Sequence, residues 1–161
     1  MEVKSMRVLM IGHDRDANVI REALSEAEDR AFTVECATLL SEGLKRLSRD
    51  GITAVMLDLR LPDSQGFATF EQIRQAAPHV PLLIINSAND QDLARQTVRH
   101  GAQDYLQKDR IDRESLPRAL RHIIERFCAG SVEQFLVGMV DEKVLPVHEI
   151  ERLARKVRKQ Q

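Results

Sequence analysis

Asp58 closes the apolar run Ala54-Val55-Met56-Leu57 and is followed at once by Leu59-Arg60-Leu61-Pro62-Asp63-Ser64-Gln65-Gly66. Four apolar residues ending in an acid have the length and flanks of a buried parallel strand, and Pro62 with Gly66 breaks it into a loop. In open parallel sheets ligands gather outside the carboxyl ends of the strands. The carboxylate is therefore expected outside the core, exposed at the sheet rim where a reaction can reach it. The competing reading is an ordinary strand-end acid that starts a turn or caps the next helix, a common use of Asp. Other strand ends also carry polar groups: Gly12-His13-Asp14, Asn86-Ser87, and Lys108 after Asp104-Tyr105-Leu106-Gln107.

Positioning these groups requires a sheet. Val8-Leu9-Met10-Ile11 reads as a central strand, and Val19, Ile20, Ala23, Leu24 and Ala27 follow at helical spacing. Phe32 to Cys36 is a short second strand, with Leu40, Leu44 and Leu47 on one face of the next helix. After the strand that ends at Asp58, Phe67, Phe70, Ile73 and Ala77 mark a third helix stopped by Pro78. Pro81 to Ile85 is a fourth strand, and Asn86 to Asp90 can cap a helix carrying Leu93, Ala94 and Val98. Asp104 to Lys108 is a fifth strand, followed by Leu116, Leu120, Ile123, Ile124 and Phe127 on a fifth helix. Strand and helix alternate five times, which predicts an α/β fold with a parallel sheet covered on both faces.

Composition excludes several classes of function. A formal net charge of -1 over 161 residues gives no global attraction to nucleic acid or an anionic membrane. Cys36 and Cys128 lack the spacing of a zinc site or a disulfide framework and are expected to be reduced, buried thiols. The start of the chain lacks the apolar stretch of a signal peptide and no run reaches the length of a membrane span, so a cytoplasmic protein is expected. No glycine-rich phosphate loop is present, and His79, His100, His122 and His148 share no ligand spacing. A haloacid-dehalogenase-like hydrolase would also use a strand-end aspartate, but it wants a second acid two residues on, where this chain has Arg60. No enzymatic turnover is expected.

The motifs Leu57-Asp58-Leu59-Arg60-Leu61-Pro62-Asp63-Ser64-Gln65-Gly66 and Gly101-Ala102-Gln103-Asp104-Tyr105-Leu106-Gln107-Lys108, in this order and each at a strand end, resemble the receiver domain of two-component response regulators. The likeness runs from about Arg7 to Phe127. It implies a flavodoxin-like, doubly wound five-stranded parallel sheet of order 2-1-3-4-5. It further implies Asp58 as acceptor of a phosphoryl group from a sensor histidine kinase or phosphotransfer protein, with Lys108 contacting that group and Tyr105 as the switch aromatic. A magnesium ion is implied beside Asp58, held by acids after the first strand and by the backbone carbonyl of Arg60.

Two positions depart from the family pattern. Gly12 and His13 replace the acidic pair, which leaves Asp14 next to the loop, or Asp16 across a locally shorter one, as substitute ligands. Magnesium prefers oxygen ligands in a strict octahedron, so its affinity is expected to fall. A protonated His13 paired with Asp58 is one arrangement that replaces the ion; a solvated loop histidine is the other. At the fourth strand end Asn86 takes the place of the family's hydroxyl residue, with Ser87 one place later. An amide NH2 can donate the corresponding hydrogen bond. The alternative is a pseudo-receiver that signals by binding alone.

The receiver is expected over residues 6–128 and a helical extension over 129–161. Val132, Phe135, Leu136, Met139 and Val140 form one apolar stripe, and Ile150, Leu153 and Val157 a second one beyond Pro146. The stretch from Phe135 to Leu153 is similar to the dimerisation tail of penicillinase-repressor regulators, which implies a homodimer; folding back on the receiver is the alternative. The basic run from Arg152 to Lys159 reads as a solvated helix face, and no nucleic-acid partner is expected from it.

Overall fold

The computed structural model describes residues 5–25, 32–127 and 147–158. Along the chain lie β1 (Met6–Ile11), α1 (Asp14–Ser25), β2 (Phe32–Ala37), α2 (Leu40–Leu47) and β3 (Ala54–Asp58). A small antiparallel hairpin follows, β4 (Arg60–Leu61) and β5 (Ser64–Gln65), then α3 (Phe67–Ala76), β6 (Leu82–Asn86), α4 (Gln91–Arg99) and β7 (Asp104–Gln107). Helix α5 covers 115–127, and α6 is Val147–Arg158. Two compact units are resolved, Met1–Glu125 and Arg126–Gln161.

The main sheet is parallel, in the order β2-β1-β3-β6-β7. With the two-residue hairpin strands set apart, this is the 2-1-3-4-5 order of a flavodoxin-like fold. Side chains alternate across the sheet, and both faces are covered. Val8, Met10, Ala54, Met56, Leu83 and Ile85 pack with α1 and α5, through residues such as Ile20, Leu24, Leu116 and Leu120. Leu9, Ile11, Val55, Leu57, Leu82 and Ile84 pack with α2, α3 and α4, through Leu40, Phe70, Ile73 and Ala94. Burial on both faces is why the central strands read as continuous apolar runs rather than alternating ones.

The hairpin occupies the stretch after Asp58 that sequence reads as a plain loop. Gly66 closes it at φ 82, a conformation that favours glycine, and its N–H donates to the Leu59 carbonyl at 2.8 Å. Pro81 falls just outside β6: it has no N–H to donate to the ladder, although its carbonyl accepts the Val55 N–H at 2.9 Å. Pro117 sits in the first turn of α5, where no intrahelical N–H is needed, and Asp112 Oδ1 accepts the Glu114 and Ser115 N–H groups there. The proposed tail helix from Val132 to Val140 and Cys128 lie outside the described residues. Cys36 is a half-buried free thiol whose pKa is raised, chiefly by burial.

Candidate functional site

Strand alternation decides which groups can meet at the carboxyl edge of the sheet. Gly12 follows Met10 by two residues, Asp58 follows Met56 and Lys108 follows Leu106, and all three leading residues pack on the α1–α5 face. Gly12, Asp58 and Lys108 thus share one side of the edge, with α1 beside them. Tyr105 packs on the opposite cluster, and Asn86 shares the parity of Leu82 and Ile84 there.

Asp58 is buried, with 3% of its surface exposed, which corrects the expectation of an exposed rim acid. The cause is its partners. Lys108 Nζ donates to Asp58 Oδ2 at 2.6 Å, and the Arg60 N–H donates to Oδ1 at 2.9 Å. Lys108 Nζ also lies 2.8 Å from Asp16 Oδ2, so one ammonium bridges two carboxylates. Burial pulls the Lys108 pKa down, and the hydrogen bonds to Asp16 and Asp58 more than offset this, leaving it above its ordinary value.

His13 is half exposed, and its Nε2 stands 3.9 Å from Asp58 Oδ2, beyond hydrogen-bond reach. Asp14 is exposed at the start of α1, where its charge adds to the raised pKa of Cys36. A Cβ on Gly12 would collide with the Met10 methyl and approach Asp58 Cβ to 3.2 Å. Met10 therefore fills the space from which an acid at position 12 would extend. Asn86 is buried; its Nδ2 donates to the Ser87 carbonyl at 3.0 Å, and its Oδ1 has no hydrogen-bond partner.

Ser87 turns to another contact, donating from Oγ to Asp90 Oδ2 at 3.2 Å. Asp90 in turn receives Arg60 Nη2 at 2.7 Å. Arg60 thus binds Asp58 through its backbone and the β6–α4 loop through its guanidinium. Asp63, on the hairpin, caps α2 by accepting the Leu40 and Ser41 N–H groups at 2.7 and 3.0 Å, which lowers its pKa. Sequence reasoning did not find these roles for Asp63 and Asp90, and it named Asp16 only as a substitute metal ligand. One signal for Asp16 was present: it stands at i-4 from Ile20, on the line of the α1 apolar stripe.

A doubly wound sheet with a lysine-clamped aspartate at its carboxyl edge defines the class. The sequence matches the response regulator receiver domain over residues 5–121, and the chain belongs to that family of two-component signalling proteins. It is 32% identical over 102 residues to the C4-dicarboxylate transport transcriptional regulatory protein DctD of Rhizobium meliloti, covering 63% of this chain and 22% of that protein. Identity to the response regulator protein TodT of Pseudomonas putida is 28% over 102 residues, covering 63% and 45%. The chain therefore spans less than half the length of these curated relatives. Among solved structures, a response regulator receiver domain protein from Clostridium thermocellum has a TM-score of 0.65 at 25% identity, covering 75% of this chain and 95% of that one. The receiver domain of the sensor histidine kinase PA1611 from Pseudomonas aeruginosa PAO1, solved with magnesium in its active site cleft, has a TM-score of 0.61 at 21% identity, covering 75% and 98%.

Receiver domains bind magnesium, but the residues present here do not fit the ion. Among the described residues no three His, Cys, Asp or Glu side chains come together to hold a metal. The two nearby carboxylates, Asp58 and Asp16, share the Lys108 ammonium, and the remaining neighbour is an imidazole. That donor set is poor for a hard cation demanding six oxygens.

Proposed function

We propose that this chain is a two-component receiver in which Asp58 takes a phosphoryl group from a sensor histidine kinase or phosphotransfer protein and the output passes through protein contacts. The observation that carries this reading is the 2.6 Å contact between Lys108 Nζ and Asp58 Oδ2, made across the carboxyl edge of the sheet from the ends of β7 and β3, with β6 between them. In the transfer, an O–P bond forms at the Asp58 carboxylate as the N–P bond of the donor phosphohistidine breaks. Lys108 stands where it meets charge on the phosphoryl oxygens, and positioning with charge neutralisation is most of what such a transfer needs. The chain supplies the acceptor and no turnover of its own, and the cytoplasm is its expected place of action.

Intact mass after treatment with a small phosphodonor such as acetyl phosphate, with and without magnesium, tests the reading. The native chain is expected to gain one phosphoryl group and Asp58→Asn none. A second reading, a phosphorylation-independent interaction module, is favoured by the Asn86 amide, which donates to Ser87, and by Gly12-His13 in place of an acidic pair. No mass gain, together with unchanged partner binding by Asp58→Asn, would select it. The receiver is assigned to residues 6–128, and residues 129–161 to a helical extension through which two chains form a homodimer.

A further inference from the structure

We infer that Asp16 is a positioning residue that holds the Lys108 ammonium against Asp58, so that the Asp58 carboxylate has a built-in counter-charge without a divalent ion. Three observations support it. Lys108 Nζ lies 2.6 Å from Asp58 Oδ2 and 2.8 Å from Asp16 Oδ2, and the Asp16 side chain is only 19% exposed. A buried carboxylate requires a cation beside it, and here a covalently attached one is held from both sides. The Met10 methyl lies where a Cβ at position 12 would stand, so an acid there would require Met10 to repack, and the half-exposed position 13 carries an imidazole and no carboxylate. Finally, Asp16 can reach the edge because Ala17 and Ile20, its neighbours on α1, pack in the same cluster as Met10 and Met56. An entering magnesium ion would have to displace an ammonium anchored at two points, and among the described residues no third carboxylate joins Asp58 and Asp16 to replace it.

The inference rests on Asp58 being the centre of the site, but its test does not use phosphoryl uptake, so the two can fail separately. Magnesium is titrated into the full chain while the backbone amide signals of Asp58, Leu59 and Arg60 are followed by NMR. Emission from Tyr105 is followed in parallel, since the chain has one tyrosine and no tryptophan. The native chain is expected to show no saturable response through the millimolar range. His13→Asp, at a half-exposed position outside the core, is expected to acquire one. Asp16→Asn is expected to shift the Lys108 side-chain ammonium signal, and Asp16→Glu to restore it. A saturable response in the native chain would overturn the inference, as would a Lys108 signal unmoved by Asp16→Asn or a silent His13→Asp.

Discussion

Lys108 and Asp58 are unequal partners, because the lysine side chain keeps 27% of its surface in solvent while the aspartate side chain keeps 4%. Removing the lysine leaves the acid buried on the side of the site where Asp16 stands, with the Arg60 N–H as its remaining hydrogen-bond donor. Lys108→Ala is therefore expected to lower stability at neutral pH by about 1–3 kcal/mol, short of the cost for a fully buried pair because Lys108 is partly solvated. Urea unfolding measures this, and an unchanged midpoint would show that the pair contributes nothing net. The same variant is expected to lose phosphoryl uptake in the mass assay, since no other ammonium reaches the Asp58 carboxylate among the described residues.

Two contacts at the scale of elements tie the neighbourhood of Asp58 to the helices. Asp63 caps α2 from the hairpin, and its lowered pKa arises first from the Ser41 and then from the Leu40 backbone hydrogen bonds. A depressed carboxylate stabilises the fold above its unfolded pKa and loses that contribution as pH falls through the folded value. The native chain is thus expected to lose stability below the ordinary aspartate range more steeply than Asp63→Asn, as read by thermal unfolding across acid pH. Superimposable profiles would remove the cap from the account. On the other side of α2, Gly43 touches Ile11: a Cβ there would meet Ile11 Cδ1 and lie 2.9 Å from Cγ1. Ile11 is fully buried and cannot swing into solvent. Gly43→Ala is expected to cost about 1–3 kcal/mol by overpacking, even though alanine is the better helix former.

At the scale of the molecule, the receiver unit carries its own two-faced core, and the C-terminal unit contains α6, laced by Glu149–Arg152 and Glu151–Arg155 ion pairs at 3.2 and 3.9 Å. Such surface pairs within one helix contribute only tenths of a kcal/mol each, so α6 needs a tertiary or quaternary partner to persist. If the extension joins two chains, light scattering gives a dimer mass for the full chain and a monomer mass for one ending at Cys128. Equal monomer masses would end the dimer proposal. Among the described residues no helix is long and apolar enough to cross a membrane.

Much of this was legible in the sequence because it is local. Apolar runs bounded by Gly, Pro and Asp predicted the five sheet strands, and the motifs around Asp58 and Lys108 pointed to the family and to the strand order. What tertiary structure alone decided is which of these groups touch. The burial of Asp58 depends on a lysine fifty residues away. That Asp16 and not Asp14 meets Lys108 depends on the rotational phase of α1 against the sheet, which a count of residues from the first strand does not reveal. That Asn86 and Tyr105 have the opposite strand parity from Asp58 follows once the register of β3, β6 and β7 is known. Sequence specifies the groups and their intervals, whereas distances between them arise only when strands from distant parts of the chain pair and a helix locks its phase by burying one stripe.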